Sequence, residues 1–130
     1  MLERLVNAIL RGIINILFRL NADELEKLPM QGPAILVSNH TSNLEGPMYY
    51  VLIQPREATG LAKRELWENP VTRFFMQLWG LIPVSRGRPD PKAMNRAMRA
   101  LRKGKFLGIA PEGTRSRTGE LQRGFPGTAL

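Results

Sequence analysis

The sequence predicts an α/β fold: a largely parallel sheet flanked by helices, with an amphipathic helix at the amino terminus. Three observations predict it. Short apolar runs alternate with capped helical patterns, the apolar period switches from helical to strand-like after about residue 30, and polar clusters follow directly on the apolar runs. With 130 residues and 43% hydrophobic content, the chain has material for a single core and one domain.

The opening segment MLERLVNAILRGIINILFRL is helical in period. At about 100° per residue, Glu3, Arg4, Asn7, Arg11, Asn15 and Arg19 fall within an arc of roughly 160°. Leu2, Leu5, Ile9, Ile13, Ile16, Leu17 and Leu20 fall opposite. Arginines at every second turn break any spanning run, and no small-residue cleavage site follows. Two readings stay open: a helix covering the domain's own core, or one lying in a membrane interface with its arginines toward the headgroups.

ADELEKLP, ended by Pro29, reads as a helical turn or connector, so residues 1–28 form an amphipathic segment ahead of an α/β domain over 29–130. AILVS (34–38) is a buried-strand candidate, and Pro47 is placed to open a helix running to about Ile53. ATGLAK (58–63) is a weaker strand. Asn69 as N-cap, Pro70 at the first helical position and Gly80 as the stop frame the clearest helix. LIPVS (81–85) is the next strand. Asp90-Pro91 repeats the cap signature ahead of a helix closed by Gly104, and FLGIA (106–110) completes the alternation.

Open α/β sheets bind ligands at the carboxyl ends of their strands. Asn39-His40 follows the first run, Arg86 the third, and PEGTR (111–115) the fourth, so parallel strands bring all three clusters to one rim. A neutral imidazole at His40 is able to take a proton from a hydroxyl if a carboxylate accepts from Nδ1–H and fixes the tautomer. Glu45, five positions on, is the candidate carboxylate and reaches His40 only across a turn. The bland alternatives are a polar turn residue at His40 and a capping box from Ser42 to Glu45, which Pro47 disfavours. In PEGTRSRTG, Gly113 permits close backbone approach, while Thr114, Arg115, Ser116 and Arg117 offer donors suited to an oxyanion.

Charge is lopsided. Residues 1–60 carry five basic and six acidic side chains; residues 61–130 carry fourteen basic and five acidic. Such a field favours an anionic partner. No helix-turn-helix, zinc-finger or RNP-type motif points to nucleic acid, and no G-x-S-x-G elbow points to a serine hydrolase. The absence of cysteine excludes a disulfide framework, fits a reducing intracellular setting, and with only one histidine argues against a zinc site.

Taken together, NHTSNLE, GLIPVSRG and PEGTRSRTGEL resemble the glycerolipid acyltransferase family that includes the 1-acyl-glycerol-3-phosphate acyltransferases. The likeness runs from about Pro33 to Gly124. It implies His40 as general base held by Glu45, which stands where the family usually has aspartate. It further implies an acceptor-phosphate site of Arg86, Glu112, Gly113, Thr114 and Arg115. The implied reaction moves a fatty acyl group from acyl-CoA or an acyl-carrier protein to a lysophospholipid hydroxyl, with no metal and no cofactor beyond that co-substrate. The implied setting is peripheral, on the cytoplasmic face of a membrane. A non-catalytic relative that binds anionic lipid is the alternative. The family's fourth block, an apolar segment with proline, does not occur before the chain stops at GFPGTAL, so the domain is expected to be incomplete at its carboxyl end.

Overall fold

The computed structural model describes residues 1–85, 87, 89–120 and 122–125, with Glu24 described in its backbone alone. Four strands form one sheet: β1 (Ala34–Val37), β2 (Ala58–Lys63), β3 (Ile82–Val84) and β4 (Phe106–Ile109). Their order is β1-β4-β2-β3, and every pairing is parallel. Parallel neighbours need crossovers. These are supplied by α3 (Glu45–Leu52), α4 (Pro70–Leu78) and α5 (Pro91–Arg102), preceded in the chain by α1 (Leu2–Leu17) and the single turn α2 (Asp23–Glu26).

Alternate residues of the strands feed two cores. On one face Phe106 packs with Tyr50, Val51, Met76, Trp79 and Ile14, contributed by α3, α4, the residue after α4, and α1. On the other, Leu107 and Ile82 meet Ala93 and Ala97 of α5. Small residues on α5 let that helix sit close to the strands. Phe106 and Val51 are almost wholly buried, each worth roughly 1.5–3 kcal/mol of transfer free energy.

The capped helices form where their signals stand. Asn69 Oδ1 accepts from the backbone N–H of Val71 at 2.9 Å, and Asp90 Oδ1 accepts from that of Ala93 at 3.0 Å. Two boundaries and the weight given to one strand differ from expectation. α1 stops at Leu17 because Phe18 turns extended. α3 begins at Glu45, not at Pro47; the proline lies in the first turn, where its missing N–H costs nothing. β2, read as the weaker strand, is the longest, because it is an inner strand that pairs with β4 at its start and β3 at its end.

α1 meets the domain in an unexpected way. One edge of its polar arc, with Leu10 and Ile14 beside it, faces the domain, and most of its apolar arc does not. Asn7 is buried and accepts from Trp79 Nε1 at 2.9 Å, and Glu3 accepts from the Tyr50 hydroxyl at 2.8 Å. Burial, then the hydrogen bond to Glu3, push the Tyr50 phenol above its ordinary pKa. Arg11, which the interface reading turned toward headgroups, donates to the Val51 carbonyl at 2.7 Å, at the carboxyl end of α3 where a cation suits the helix dipole. Only Ile14 of the helix is both apolar and buried. Leu5, Ile9 and Ile16 are 59%, 55% and 84% exposed, and Leu2, Ile13 and Leu17 share their outward side. The result is an apolar strip about 24 Å long, at 1.5 Å per residue, facing away from the domain. Among the described residues, no helix is long and apolar enough to cross a membrane.

Candidate active site

The site is built where β1 and β4 end side by side. Val37 pairs with Ile109, so the loops that follow leave the sheet at one level, and the Ser38 N–H still donates to the Ile109 carbonyl at 3.3 Å. The two loops are then tied together: the Ser116 N–H donates to the His40 carbonyl at 2.6 Å. His40 and the PEGTR segment therefore share one rim, as the parallel topology requires. Arg86 lies outside the described residues.

Within the first loop, Glu45 serves two partners with its two oxygens. Oε2 lies 2.9 Å from His40 Nδ1. Oε1 accepts from the backbone N–H of Thr41 at 2.8 Å, from that of Ser42 at 2.9 Å, and from the Thr41 hydroxyl. Ser42 Oγ accepts from the Leu44 N–H at 3.1 Å rather than closing a capping box onto Glu45. Glu45 opens α3, where the helix dipole favours an anion. The two readings of this residue are thus compatible: the carboxylate organises the turn with one oxygen and holds the imidazole with the other. Burial pushes the Glu45 carboxyl up, but the hydrogen bonds from His40, Thr41 and Ser42 outweigh it and hold the group below its ordinary value. It is therefore an anion at neutral pH, able to accept from Nδ1–H. The longer side chain does reach the ring, because α3 starts at Glu45 itself.

Beside this dyad lies a cavity of about 350 Å³ lined by Thr41, Thr114, Arg115, Ser116 and Arg117. Hydroxyls and guanidinium groups dominate that lining, a donor set matched to a phosphate. Of the predicted acceptor residues, Thr114 and Arg115 line it. Glu112 and Gly113 do not: Glu112 is 3% exposed and its Oε1 accepts from the Gln122 N–H at 3.3 Å, which folds the segment back. Among the described residues, its Oε2 and the Ser116 hydroxyl are buried without a partner. Gly113 has φ 64°, and a Cβ there would stand 3.1 Å from the Phe125 ring, so the turn admits only glycine without strain. Ser116 and Arg117, read from the sequence as oxyanion donors of the same loop, line the cavity as well, whereas Thr41 was not assigned to the site by sequence reasoning. Only Thr41's place inside the NHTSNLE turn signalled that its N–H and hydroxyl face the carboxylate.

A larger groove of about 710 Å³ lies at the opposite, amino ends of the strands, with Leu78, Leu81, Ile82 and Pro83 among its apolar lining and Arg96, Arg99 and Lys103 among its cations. It contains neither His40 nor Glu45.

The family model described as Acyltransferase matches residues 19–129. The chain is 33% identical over 107 residues to a chloroplastic 1-acyl-sn-glycerol-3-phosphate acyltransferase of Arabidopsis thaliana, covering 80% of this chain and 30% of that protein. It is 29% identical over 91 residues to the 1-acyl-sn-glycerol-3-phosphate acyltransferase of Bacillus subtilis, covering 70% and 46% respectively. With the enzyme of the same name from Borreliella burgdorferi it shares 30% identity over 99 residues, covering 75% and 39%. The chain thus spans less than half the length of each of these relatives. No solved structure matches it.

Proposed function

The chain belongs to the acyltransferase family, and on that premise we propose that it acylates the free hydroxyl of 1-acyl-sn-glycerol-3-phosphate or a related lysophospholipid, with His40 as the general base. The observation that carries the reading is the 2.9 Å contact between His40 Nδ1 and Glu45 Oε2. With Nδ1–H donated to an anionic carboxylate, the lone pair rests on Nε2. Nε2 takes the proton of the acceptor hydroxyl as its oxygen attacks the thioester carbonyl. The C–O bond forms, the C–S bond breaks, and the imidazolium, stabilised by Glu45, returns its proton to the departing thiolate.

Arg115, Arg117, Thr41 and Thr114 would hold the acceptor phosphate in the adjoining cavity, with Arg86 assigned there by resemblance. The outward apolar strip of α1 supports a peripheral membrane setting at the cytoplasmic face. Leu2, Leu5, Ile9, Ile13, Ile16 and Leu17 would enter the headgroup boundary, with Arg4 and Arg19 beside them at the anionic surface. A membrane-borne acceptor and a water-soluble acyl donor, acyl-CoA or an acyl-carrier protein, then meet at the rim.

The test is an acceptor comparison. Radiolabelled acyl-CoA is offered with 1-acyl-sn-glycerol-3-phosphate or with monoacylglycerol, in wild type and Arg115→Gln. The account expects preference for the phosphorylated acceptor and a KM for it that rises at least tenfold in the variant. Equal use of both acceptors by wild type, or no product from either, contradicts it.

A further inference from the structure

α5 carries more positive charge along one side than its own stability explains. Arg96, Arg99 and Lys103 stand at steps of three and four residues, which keeps them within about 60° of one another around the axis. All three are exposed, and none has an ion pair among the described residues. Like charges at these spacings repel along a helix, and the helix dipole offsets the repulsion only in the last turn.

The same three cations line the groove of about 710 Å³ at the amino ends of the strands. Leu78, Leu81, Ile82 and Pro83 make the apolar part of that lining. Its other polar groups are engaged already. The Tyr50 hydroxyl donates to Glu3 at 2.8 Å, the Thr59 hydroxyl donates to the Gly80 carbonyl at 2.8 Å, and Lys105 is paired with Glu57 at 3.3 Å. What stays unmatched is positive charge beside apolar surface, which is complementary to an anion that carries an alkyl chain.

Size and chemistry narrow the occupant further. The volume falls within the ~300–1,000 Å³ of small-molecule sites. Guanidinium forks match the two oxygens of a carboxylate. A phosphate monoester would bring a second negative charge toward Glu3, and it would lack the free hydroxyl donors that the rim cavity offers beside its arginines.

We infer that this groove is a second lipid site, separate from the dyad, that takes a free long-chain carboxylate: the head at Arg96, Arg99 and Lys103, the alkyl chain along Leu78, Leu81, Ile82 and Pro83. The ligand does not react there, because the groove holds neither His40 nor Glu45, and the site stands whether or not the rim transfers an acyl group. An occupant joins α5 to the place where α1 is seated through Glu3, so binding stabilises the folded chain.

The chain's two tryptophans, Trp67 and Trp79, both line the groove, so intrinsic fluorescence reads its occupancy directly. The experiment titrates the full chain with laurate below its micelle range, alongside decanoate, dodecanol and dodecyl phosphate. Laurate should give a saturable change and raise the thermal midpoint, and dodecanol should give neither. Two methylenes fewer should weaken decanoate about five- to fifteenfold, since each buried methylene is worth up to about fourfold in Kd. Arg96→Gln/Arg99→Gln should raise the Kd for laurate at least about fivefold, and Ala100→Phe, which fills the groove beside the arginines, should abolish binding, both with circular dichroism unchanged. His40→Ala, Arg115→Gln and Ile9→Asp/Ile13→Asp should bind laurate as wild type does, which separates this site from the rim and from the outer strip of α1. The inference is overturned by a folded wild type that shows no saturable response, by binding indifferent to the α5 variants, by loss in Arg115→Gln or in the α1 pair instead, or by dodecyl phosphate binding more tightly than laurate.

Discussion

The inverted packing of α1 makes a prediction that runs against side-chain hydrophobicity. Asn7→Ala removes the acceptor of the Trp79 indole N–H, a bond of 2.9 Å between residues 7% and 3% exposed. The indole N–H is then left without its acceptor in a side chain that is almost wholly buried, a desolvation penalty of about 1–3 kcal/mol. Ile9→Ala deletes more apolar volume, but from a side chain 55% exposed, and changes stability by less than about 0.5 kcal/mol. Urea unfolding followed by tryptophan fluorescence and circular dichroism separates the two. With a slope of about 2 kcal/mol/M, Asn7→Ala moves the midpoint down by roughly 0.5–1.5 M and Ile9→Ala leaves it within roughly 0.25 M. A reversed ranking, with Ile9→Ala the costlier change, would mean that α1 docks by its apolar side and would refute the reasoning.

Ile9→Asp with Ile13→Asp should abolish co-sedimentation with anionic vesicles while leaving the urea midpoint close to wild type; retained sedimentation would show that the strip does not meet lipid. Gly113→Ala forces a Cβ into the left-handed region and toward the Phe125 ring, so it should cost about 1–2 kcal/mol in unfolding and weaken acceptor binding, read as a raised KM. Because Glu45 is held below its ordinary 4.5, its contribution to stability is complete above that pH and is lost as pH falls through the lowered folded value. Glu45→Gln should therefore flatten the acid limb of stability against pH below about 4.5, a limb that persists unchanged if the carboxylate is not held in this way.

What could be read from the sequence was what depends on local chemistry. Asn69-Pro70 and Asp90-Pro91 state their own caps, and the apolar runs state their own strands, so the parallel α/β sheet and the meeting of His40 with the loop after β4 followed from alternation alone. The resemblance carried by three motifs agrees with the family match over residues 19–129. The orientation of α1 was not legible, because an amphipathic period defines two faces without saying which one the domain takes. That choice was made by distant partners, Trp79, Tyr50 and the end of α3, which supply polar contacts to Asn7, Glu3 and Arg11. The position of Glu112 was missed for a related reason. Its motif marks it as polar and near the site, but its burial depends on the chain folding back at Gln122. Thr41 was hidden because its role is largely one of backbone geometry, set by where α3 begins.

The most direct test of the central claim is thiol release from acyl-CoA in the presence of 1-acyl-sn-glycerol-3-phosphate, comparing wild type with His40→Ala at matched folded concentration. The account predicts a fall in kcat on the order of 10²–10⁴-fold with unfolding behaviour retained, the loss expected of a removed general base. Equal turnover by the two proteins would contradict it.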